Sequence, residues 1–368
     1  MTDITSFDTL ADELLAKHTL IDESLFLQIG RCVIKVSANN FAHLAQLKKY
    51  FTHVHASDAV CAANNADMHI VALQSEPLVL YLPFKDWRRE GGKVGRKDAY
   101  YDFDAARILF KVRTGMVFLQ SLTTRIAVGP CLANDNQVIN FVNSQYMSWL
   151  QNTGWQTCHA AGLVKGDIAI AMAGFSGGGK STLMLHLLED ESLKYLTNDR
   201  LLIGKSENGI EAAGIPKLPR INPGTIVNNE RLLSLISEEE KQAFLAMDKN
   251  ELWELEQKYD VMISDLYGEN RIATIGKLKH FIVLNWHRNS DEPTELKPID
   301  ITKRSDLLAA VMKSPGPFFQ FSDGTFYRDD ITLDEAKYLE HLEGVTMYEA
   351  TGRADFIKMS QLCKPLFS

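Results

Sequence analysis

The sequence predicts an α/β fold whose carboxyl-terminal part carries a phosphate-binding loop. From residue 160 onward, apolar strand-like segments alternate with amphipathic helix-like segments, as in a layered α/β sandwich. A short apolar run at 167–173 is followed by a glycine-rich turn and then by a helix-like stretch at 182–189. This strand–loop–helix order is the context that a P-loop requires. We therefore expect a P-loop domain over residues 151–368, preceded by a smaller α+β region over residues 1–150.

The amino-terminal region shows both periodicities of regular secondary structure. Apolar residues recur at helical spacing in three segments and form strand-like runs in the others. The predicted helices are 8–18, 41–51 and 140–150. The predicted strands are 26–36 (one long strand or a pair), 68–73, 78–82 and the adjacent runs ILFKVRTGMVFLQ and TRIAVGP, with a possible turn at Thr114-Gly115.

A basic, glycine-rich loop interrupts this region. It carries Lys85, Arg88, Arg89, Lys93, Arg96 and Lys97. Such a loop is either a solvated surface segment or a segment that closes on an anion, for example a nucleotide or an acidic substrate. The residues leave both interpretations open.

The glycine-rich turn matches the pattern G-x-x-x-x-G-K-[ST]. Its residues are Gly174, Phe175, Ser176, Gly177, Gly178, Gly179, Lys180 and Ser181, and Thr182 opens the helix. Glycines let consecutive backbone N–H groups point inward at phosphate oxygens, and the helix amino terminus adds partial positive charge. We expect Lys180 to reach the β- and γ-phosphates of ATP and the Ser181 hydroxyl to ligate Mg²⁺.

Polar residues at two further points are candidates for chemistry. Asn198-Asp199 follows a predicted strand at 193–197, where Mg²⁺ requires a carboxylate; an ordinary Asn-Asp turn is the alternative. The loop 214–229 carries Lys217 and Arg220, and Arg220 could stabilise charge during phosphoryl transfer; an ordinary connecting loop is the alternative. The remaining predicted helices are 230–247, 251–259, 301–313, 334–342 and 353–363, and the remaining strands are 201–204, 280–286 and 345–349.

Composition excludes several classes of protein. The formal net charge of −8 over 368 residues argues against non-specific nucleic-acid binding. No window approaches the length of apolar sequence that a membrane span needs, and the acidic, amphipathic start resembles no targeting signal. The five scattered cysteines fit free thiols in a reducing compartment. We therefore expect a cytoplasmic protein without a nucleic-acid or membrane partner.

Three elements in order resemble the catalytic domain of HPr kinase/phosphorylase, and more closely the B group of HprK-related kinases. They are Cys158-His159-Ala160, the P-loop with Thr182, and Leu196-Thr197-Asn198-Asp199. The resemblance covers about residues 150–290. It implies a core similar to phosphoenolpyruvate carboxykinase that binds ATP and Mg²⁺. It also implies that Asp199 is the second acid of the family's Asp-Asp pair and that His159 lies near the reacting phosphate; by itself a lone histidine is more often structural.

One residue departs from the family pattern. Asn198 stands where the family has the first acid, and asparagine cannot accept a proton at neutral pH. Asp199 then serves both roles, His159 acts as the base, or transfer is slow. The resemblance does not imply phosphorylase activity, and a homo-oligomer is plausible from it alone.

Three functions follow from the sequence. The first is an ATP-dependent kinase acting on a protein serine or threonine or on a small-molecule hydroxyl; the sequence does not identify the acceptor. The second is a transporter-type ATPase, which lacks support because the chain has no Leu-Ser-Gly-Gly-Gln signature. The third is a nucleotide sensor that binds without turnover, and Asn198 favours it.

Overall fold

The computed structural model describes residues 6–88, 95–175, 177–207, 209–255 and 257–367. Its contacts divide the chain into two compact units. One comprises Met1–Thr153 and Pro315–Thr332, and the other comprises Gly154–Ser314 and Leu333–Ser368. The boundary predicted at residue 150 places 315–332 in the second part of the chain. In the structure this segment belongs to the first unit by its contacts. The functional division into 1–150 and 151–368 stays a prediction.

The described part of the first unit contains both helices and strands. Its helices are α1 (Phe7–Lys17), α2 (Phe41–Tyr50), α3 (Asp58–Ala63) and α4 (Asp135–Asn152). Its strands are β1 (Ser24–Ile29), β2 (Cys32–Ala38), β3 (Met68–Gln74), β4 (Lys85–Asp86), β5 (Asp98–Phe103), β6 (Ala106–Lys111), β7 (Val117–Ser121) and β8 (Arg125–Gly129).

These strands form one mixed sheet in the order β1-β2-β3-β8-β7-β6-β5-β4. Strands β2, β3 and β8 are parallel neighbours, and the other neighbours are antiparallel. Gly30, with φ +60°, makes the turn that divides 26–36 into a strand pair. The predicted strand 78–82 is wrong, since this segment has no ladder partner in the described sheet, although Leu78, Leu80 and Leu82 pack on the core.

Helices cover both faces of this sheet. Phe7, Ala11 and Leu14 of α1 pack on a cluster that includes Leu73 and Val117. Helices α2 and α4 contact β2, and α4 also contacts β3. Each helix buries an apolar stripe against the pleated sheet. This packing explains the amphipathic periodicity of these segments.

A buried arginine attaches the segment 315–332 to the first unit. Arg107 is 1% exposed, and its guanidinium donates to the carboxylate of Asp102 and to the carbonyl oxygens of Pro317 (2.8 Å) and Tyr327 (3.2 Å). Three aromatic rings surround it, those of Trp87, Tyr100 and Phe326. A buried charge needs such hydrogen-bonding partners. Here Arg107 and its partner Pro317 are about two hundred residues apart in sequence.

The described part of the basic loop contains an ion pair. Arg96 Nε lies 2.7 Å from Asp86 Oδ1, and the backbone N–H of Arg88 donates to Asp329. Arg89 and Lys93 lie outside the described residues. An anion-binding role for this loop therefore stays a prediction.

The second unit contains most of the remaining elements. Its described strands are β9 (Gln156–Cys158), β10 (Ala160–Lys165), β11 (Ile168–Gly174), β12 (Lys194–Thr197), β13 (Leu201–Ser206), β14 (Gly209–Gly214), β15 (Arg220–Ile221), β16 (Tyr259–Asp260), β17 (Ile275–Leu284), β18 (Glu295–Ile299) and β19 (Thr346–Thr351). Its described helices are α5 (Lys180–Leu187), α6 (Pro223–Ile226), α7 (Glu238–Ala246), α8 (Lys249–Glu254), α9 (Ile263–Tyr267), α10 (Ser305–Val311), α11 (Glu335–His341) and α12 (Phe356–Cys363).

The main sheet of this unit is mixed, with order β12-β10-β11-β17-β14-β13-β9. Strand β17 pairs in parallel with β11 on one side. On its other side it pairs antiparallel with β14 near its start and parallel with β19 near its end, and β18 pairs with β19. The three parallel strands β11, β17 and β19 therefore end together at one edge of the sheet.

Helices also pack on both faces of this sheet. Leu307, Val311 and Tyr338 of α10 and α11 join the core under β11 and β17. Helix α5 contacts β10 and β11, and α12 contacts α5. The predicted α/β sandwich is confirmed in this coarse sense.

Two predicted helices are wrong in extent. The segment 230–247 divides into a 3₁₀-helix, Glu230–Leu235, and α7, because Ser237 begins a new helix with a capping box to Glu240. The predicted helix 251–259 ends at α8, and Tyr259 lies in β16. Within the part of the chain that the structure describes, no helix is both long and apolar enough to cross a membrane.

Candidate functional site

The site lies where the three parallel strands of the second unit end. Gly174, Leu284 and Ala350 are neighbours across β11, β17 and β19. The segments that follow these residues leave the sheet at the same edge, and ligands of open α/β sheets bind at the carboxyl ends of parallel strands. A cleft of about 1040 Å³ opens there, within the second unit.

The predicted P-loop, residues 174–181, has in its described residues the backbone that its glycines allow. Gly177 and Gly179 have φ values of +75° and +83°, which disfavour other residues. A Cβ at Gly178 would lie 2.9 Å from the carbonyl oxygen of Phe175. Helix α5 begins directly at Lys180 without a side-chain cap, so its first N–H groups are available to an anion. Ser176 lies outside the described residues, and Phe175 is 48% exposed.

Lys180 lines the cleft and is turned back onto the strand that precedes the loop. Its Nζ donates to the carbonyl oxygen of Gly174 at 2.9 Å. Burial lowers the pKa of Lys180 to about 8; the Asp199 carboxylate opposes this shift, and Lys313 adds to it. The ammonium group is thus held in place by one carbonyl and is available to exchange it for phosphate oxygens.

Two aromatic residues from distant parts of the sequence support the P-loop. Trp286 Nε1 donates to the carbonyl oxygen of Gly178 at 2.9 Å. A Cβ on Gly179 would lie 2.7 Å from the Phe356 ring, so that ring fixes the space beside the loop. Phe356 packs edge-on against Trp286 and stacks on His186. Neither residue is recognisable from the sequence, because apolar aromatics after a strand carry no local signal of this role.

Asp199 and His159 are neighbours in the structure. His159 Nε2 lies 3.2 Å from Asp199 Oδ1, and the His159 backbone N–H donates to the carbonyl of Val311. Half of the Asp199 side chain faces the open cleft. Burial raises the pKa of Asp199, but the hydrogen bond from His159 and the charges of Arg200 and Lys313 outweigh it, so this pKa lies well below its usual range. Asp199 is therefore ionised at neutral pH.

The other predicted site residues line the same cleft. Ser181 and Asn198 border it, and the Oδ1 atom of Asn198 is buried without a hydrogen-bond partner among the described residues. The Thr182 hydroxyl is 2.8 Å from that of Thr225, which ties α5 to the loop 214–229. Arg220 also borders the cleft, but its Nε is 2.9 Å from Asp260 Oδ1, so its charge is already paired. The functional roles of all these residues stay predictions.

The wall formed by α7 and α8 is largely apolar. Phe244, Leu245, Met247, Leu252 and Trp253 line the cleft there. A Cβ on Gly177 would lie 3.6 Å from Trp253 Nε1, so this wall reaches the P-loop. The arrangement combines apolar surface with a few aimed polar groups, which is typical of a small-molecule site.

The lowered pKa of Lys180 predicts a pH dependence of nucleotide binding. Phosphate oxygens favour the protonated ammonium, whereas the free chain loses that proton above a pKa of about 8. Binding then requires proton uptake, and we expect ATP affinity to fall by up to about tenfold per pH unit between pH 8 and 10. Tryptophan fluorescence titrations across this range measure the effect. A Lys180→Arg variant, whose side chain does not titrate there, should lack the decline, and an equal decline in that variant would contradict the assignment.

Comparisons with known proteins give limited similarity. No protein-family model and no curated protein match the chain. Among solved structures, the chain is similar to the HPr(Ser) kinase/phosphatase from Coxiella burnetii, with a TM-score of 0.30 and 12% sequence identity over 57% of this chain and 90% of that chain. This similarity is too low to assign a function, so function is inferred from the residues of the cleft.

Proposed function

We propose that the chain is an ATP- and Mg²⁺-dependent phosphotransferase that passes the γ-phosphoryl group to a hydroxyl of a protein or of a small molecule. One observation carries this proposal: the P-loop lysine, Lys180, and the ionised carboxylate of Asp199 line the same cleft. A cation for the phosphates and an anion beside them are the two charges that phosphoryl transfer needs. The HprK-related kinase assignment belongs to this proposal.

The P-loop supports the nucleotide part. Its glycines leave no Cβ between the backbone and a ligand, and the amino terminus of α5 adds partial positive charge. Lys180 exchanges its bond to the Gly174 carbonyl for β- and γ-phosphate oxygens. The apolar wall of α7 and α8 offers surface to the uncharged part of a nucleotide.

The donor set around Asp199 fits Mg²⁺. Mg²⁺ prefers oxygen ligands and is usually held by one or two carboxylates together with substrate phosphates. The Ser181 hydroxyl and the Asp199 carboxylate would hold it, and Asn198 Oδ1, which has no hydrogen-bond partner among the described residues, is a further oxygen acceptor that the ion or its water shell would satisfy. When bound, Mg²⁺ neutralises charge on the β- and γ-phosphates. Among the described residues no group of three or more His, Cys, Asp or Glu side chains could hold a metal.

The proposed transfer requires little basicity from the protein. The acceptor oxygen bonds to the γ-phosphorus, the bond from that phosphorus to the β-phosphate oxygen breaks, and ADP leaves. The hydroxyl proton passes to Asp199, which His159 orients through its Nε2. A carboxylate with a low pKa is a weak base. The loose transition state of phosphoryl transfer depends mainly on positioning and charge stabilisation, so a weak base is sufficient.

A nucleotide sensor is the second candidate. Asn198 favours it, because an amide replaces the acid that the kinase family uses. A sensor would bind ATP in the same cleft and release neither ADP nor phosphate.

Incubation of the purified chain with γ-labelled ATP, Mg²⁺ and a cell extract separates these functions. A kinase places label in the protein fraction or the small-molecule fraction, and EDTA abolishes the transfer. A sensor retains ATP with neither label transfer nor ADP. Free phosphate formed at the same rate without the extract would indicate a hydrolase and contradict the kinase proposal.

An Asp199→Asn variant tests the assigned carboxylate. Removing the charge while keeping the shape should lower Mg²⁺-dependent transfer by about 10–100-fold. Binding of ATP without Mg²⁺ should remain within about twofold, because Lys180 and the P-loop are intact. Asp265→Asn, at an exposed position of α9 in the same unit, is the matched control. Unchanged transfer in Asp199→Asn would remove this residue from the mechanism.

A further inference from the structure

Two arginines that no sequence motif contains reach the edge where the P-loop lies. Arg288 follows β17 and Arg353 follows β19, the strands parallel to the P-loop strand. Their segments are joined by backbone hydrogen bonds from His287 N to Gly352 O (2.8 Å) and from Ala354 N to His287 O (3.2 Å). Both arginines line the cleft.

Neither arginine is neutralised within the described part of the chain. Other arginines, such as Arg220, Arg231 and Arg304, lie against carboxylates. Arg288 instead lies 5.1 Å from the centre of the Trp253 ring, and Arg353 Nε donates to the Ser290 carbonyl at 3.2 Å. In a chain with a net charge of −8, unpaired guanidinium groups in a cleft are available for an anion.

The proposed triphosphate site has donors of its own. The P-loop amides and Lys180 supply them, and Arg288 lies against Trp253 in the wall formed by α7 and α8. The cleft volume of about 1040 Å³ slightly exceeds the roughly 300–1,000 Å³ of a typical small-molecule pocket. The two guanidinium groups are therefore candidates for binding a second, smaller ligand.

A buried amide oxygen in the same cleft also lacks a donor. Asn222 Oδ1 has no hydrogen-bond partner among the described residues, and Asn222 lines the cleft. An unsatisfied buried acceptor is costly, and a ligand hydroxyl would satisfy it.

We propose that Arg288 and Arg353 form a second anion site and that the phosphate acceptor is a small molecule carrying a carboxylate or phosphate group in addition to its hydroxyl. This inference rests on the proposed phosphotransferase function. The anionic group is unchanged in the reaction; its hydroxyl oxygen gains the γ-phosphoryl group, ADP leaves and one proton is released. The guanidinium groups hold the acceptor by paired N–H···O bonds and set the position of its hydroxyl.

The test saturates the chain with Mg²⁺ and a non-hydrolysable ATP analogue and then titrates it with inorganic phosphate or with acetate at constant ionic strength in chloride. Tryptophan fluorescence follows both binding steps. We expect one further anion to bind to the nucleotide complex, at least about tenfold more weakly in Arg288→Gln and in Arg353→Gln. Affinity for the ATP analogue should change by less than about twofold. Lys194→Gln, which removes one exposed positive charge from the same unit, should leave both steps unchanged.

Every other outcome contradicts either this proposal or the phosphotransferase function on which it rests. Loss of analogue binding in both arginine variants would assign them to the triphosphate, and unaltered anion binding would remove them from any anion site. In the extract assay, label should enter the small-molecule fraction and decline in both variants. Mass spectrometry of the purified labelled product should show a carboxylate or a second phosphate group besides the transferred one. Label confined to protein, or a product with no acidic group besides the transferred phosphate, would overturn the proposed acceptor. Release of one phosphate per product molecule by alkaline phosphatase indicates a carboxylate acceptor, and release of two indicates a phosphate-bearing acceptor. Absent transfer with intact anion binding would overturn the phosphotransferase function alone.

Discussion

Replacing Lys180 with alanine should lower phosphoryl transfer by about 10²–10³-fold, the loss seen when one aimed donor is removed from a charge-stabilising site. Lys180 is the side chain that a P-loop directs at the β- and γ-phosphates, and burial in the cleft strengthens its interaction with them. Transfer rates with γ-labelled ATP and nucleotide affinities from fluorescence measure the loss.

The fold should survive this substitution. In the structure the ammonium donates a hydrogen bond to the Gly174 carbonyl, and burial already disfavours its charge. Lys194→Ala, on the exposed start of β12, controls for loss of a lysine elsewhere in the unit. Equal activity of the two variants would show that the P-loop is not the catalytic phosphate site.

A Gly179→Ala substitution should weaken nucleotide binding by about tenfold to a hundredfold. The added Cβ would lie 2.7 Å from Cε1 and Cζ of Phe356, whose ring is held by Trp286 and His186. Overpacking of this kind costs about 1–3 kcal/mol, and the loop relieves it by moving its N–H groups away from the phosphates. Nucleotide affinity and thermal unfolding, measured together, separate binding from stability.

The chain offers a closely matched control for backbone strain. Gly344 has φ +84°, against +83° for Gly179, and a Cβ there meets no atom within 4 Å. Gly344→Ala therefore carries the left-handed strain without the clash and should leave nucleotide affinity unchanged. Adding Phe356→Leu to Gly179→Ala should restore part of the affinity. If Gly344→Ala weakened binding as much, contact with Phe356 would not be the cause.

The glycine-rich pattern of the predicted P-loop is recognisable because its information is local. Eight consecutive residues form the pattern, and the strand before it and the helix after it follow from short apolar runs. The roles of His159 and Asp199 are implications of the family resemblance and stay predictions, whereas the contact between the two side chains is a finding of the structure. Boundaries failed where a polar cap divided one amphipathic stretch, as Ser237 does between 230 and 247.

The sequence by itself determined the α/β class and the positions of the G-x-x-x-x-G-K-[ST] pattern and of the acid that follows it, because each depends on neighbouring residues and their periodicity. Only the tertiary structure brought Trp286 and Phe356 to the P-loop and Arg288 and Arg353 to the cleft. The physical reason is the sheet. Parallel pairing of β11, β17 and β19 places the residues after each strand at one edge, although more than 170 positions separate Gly174 from Ala350 along the chain.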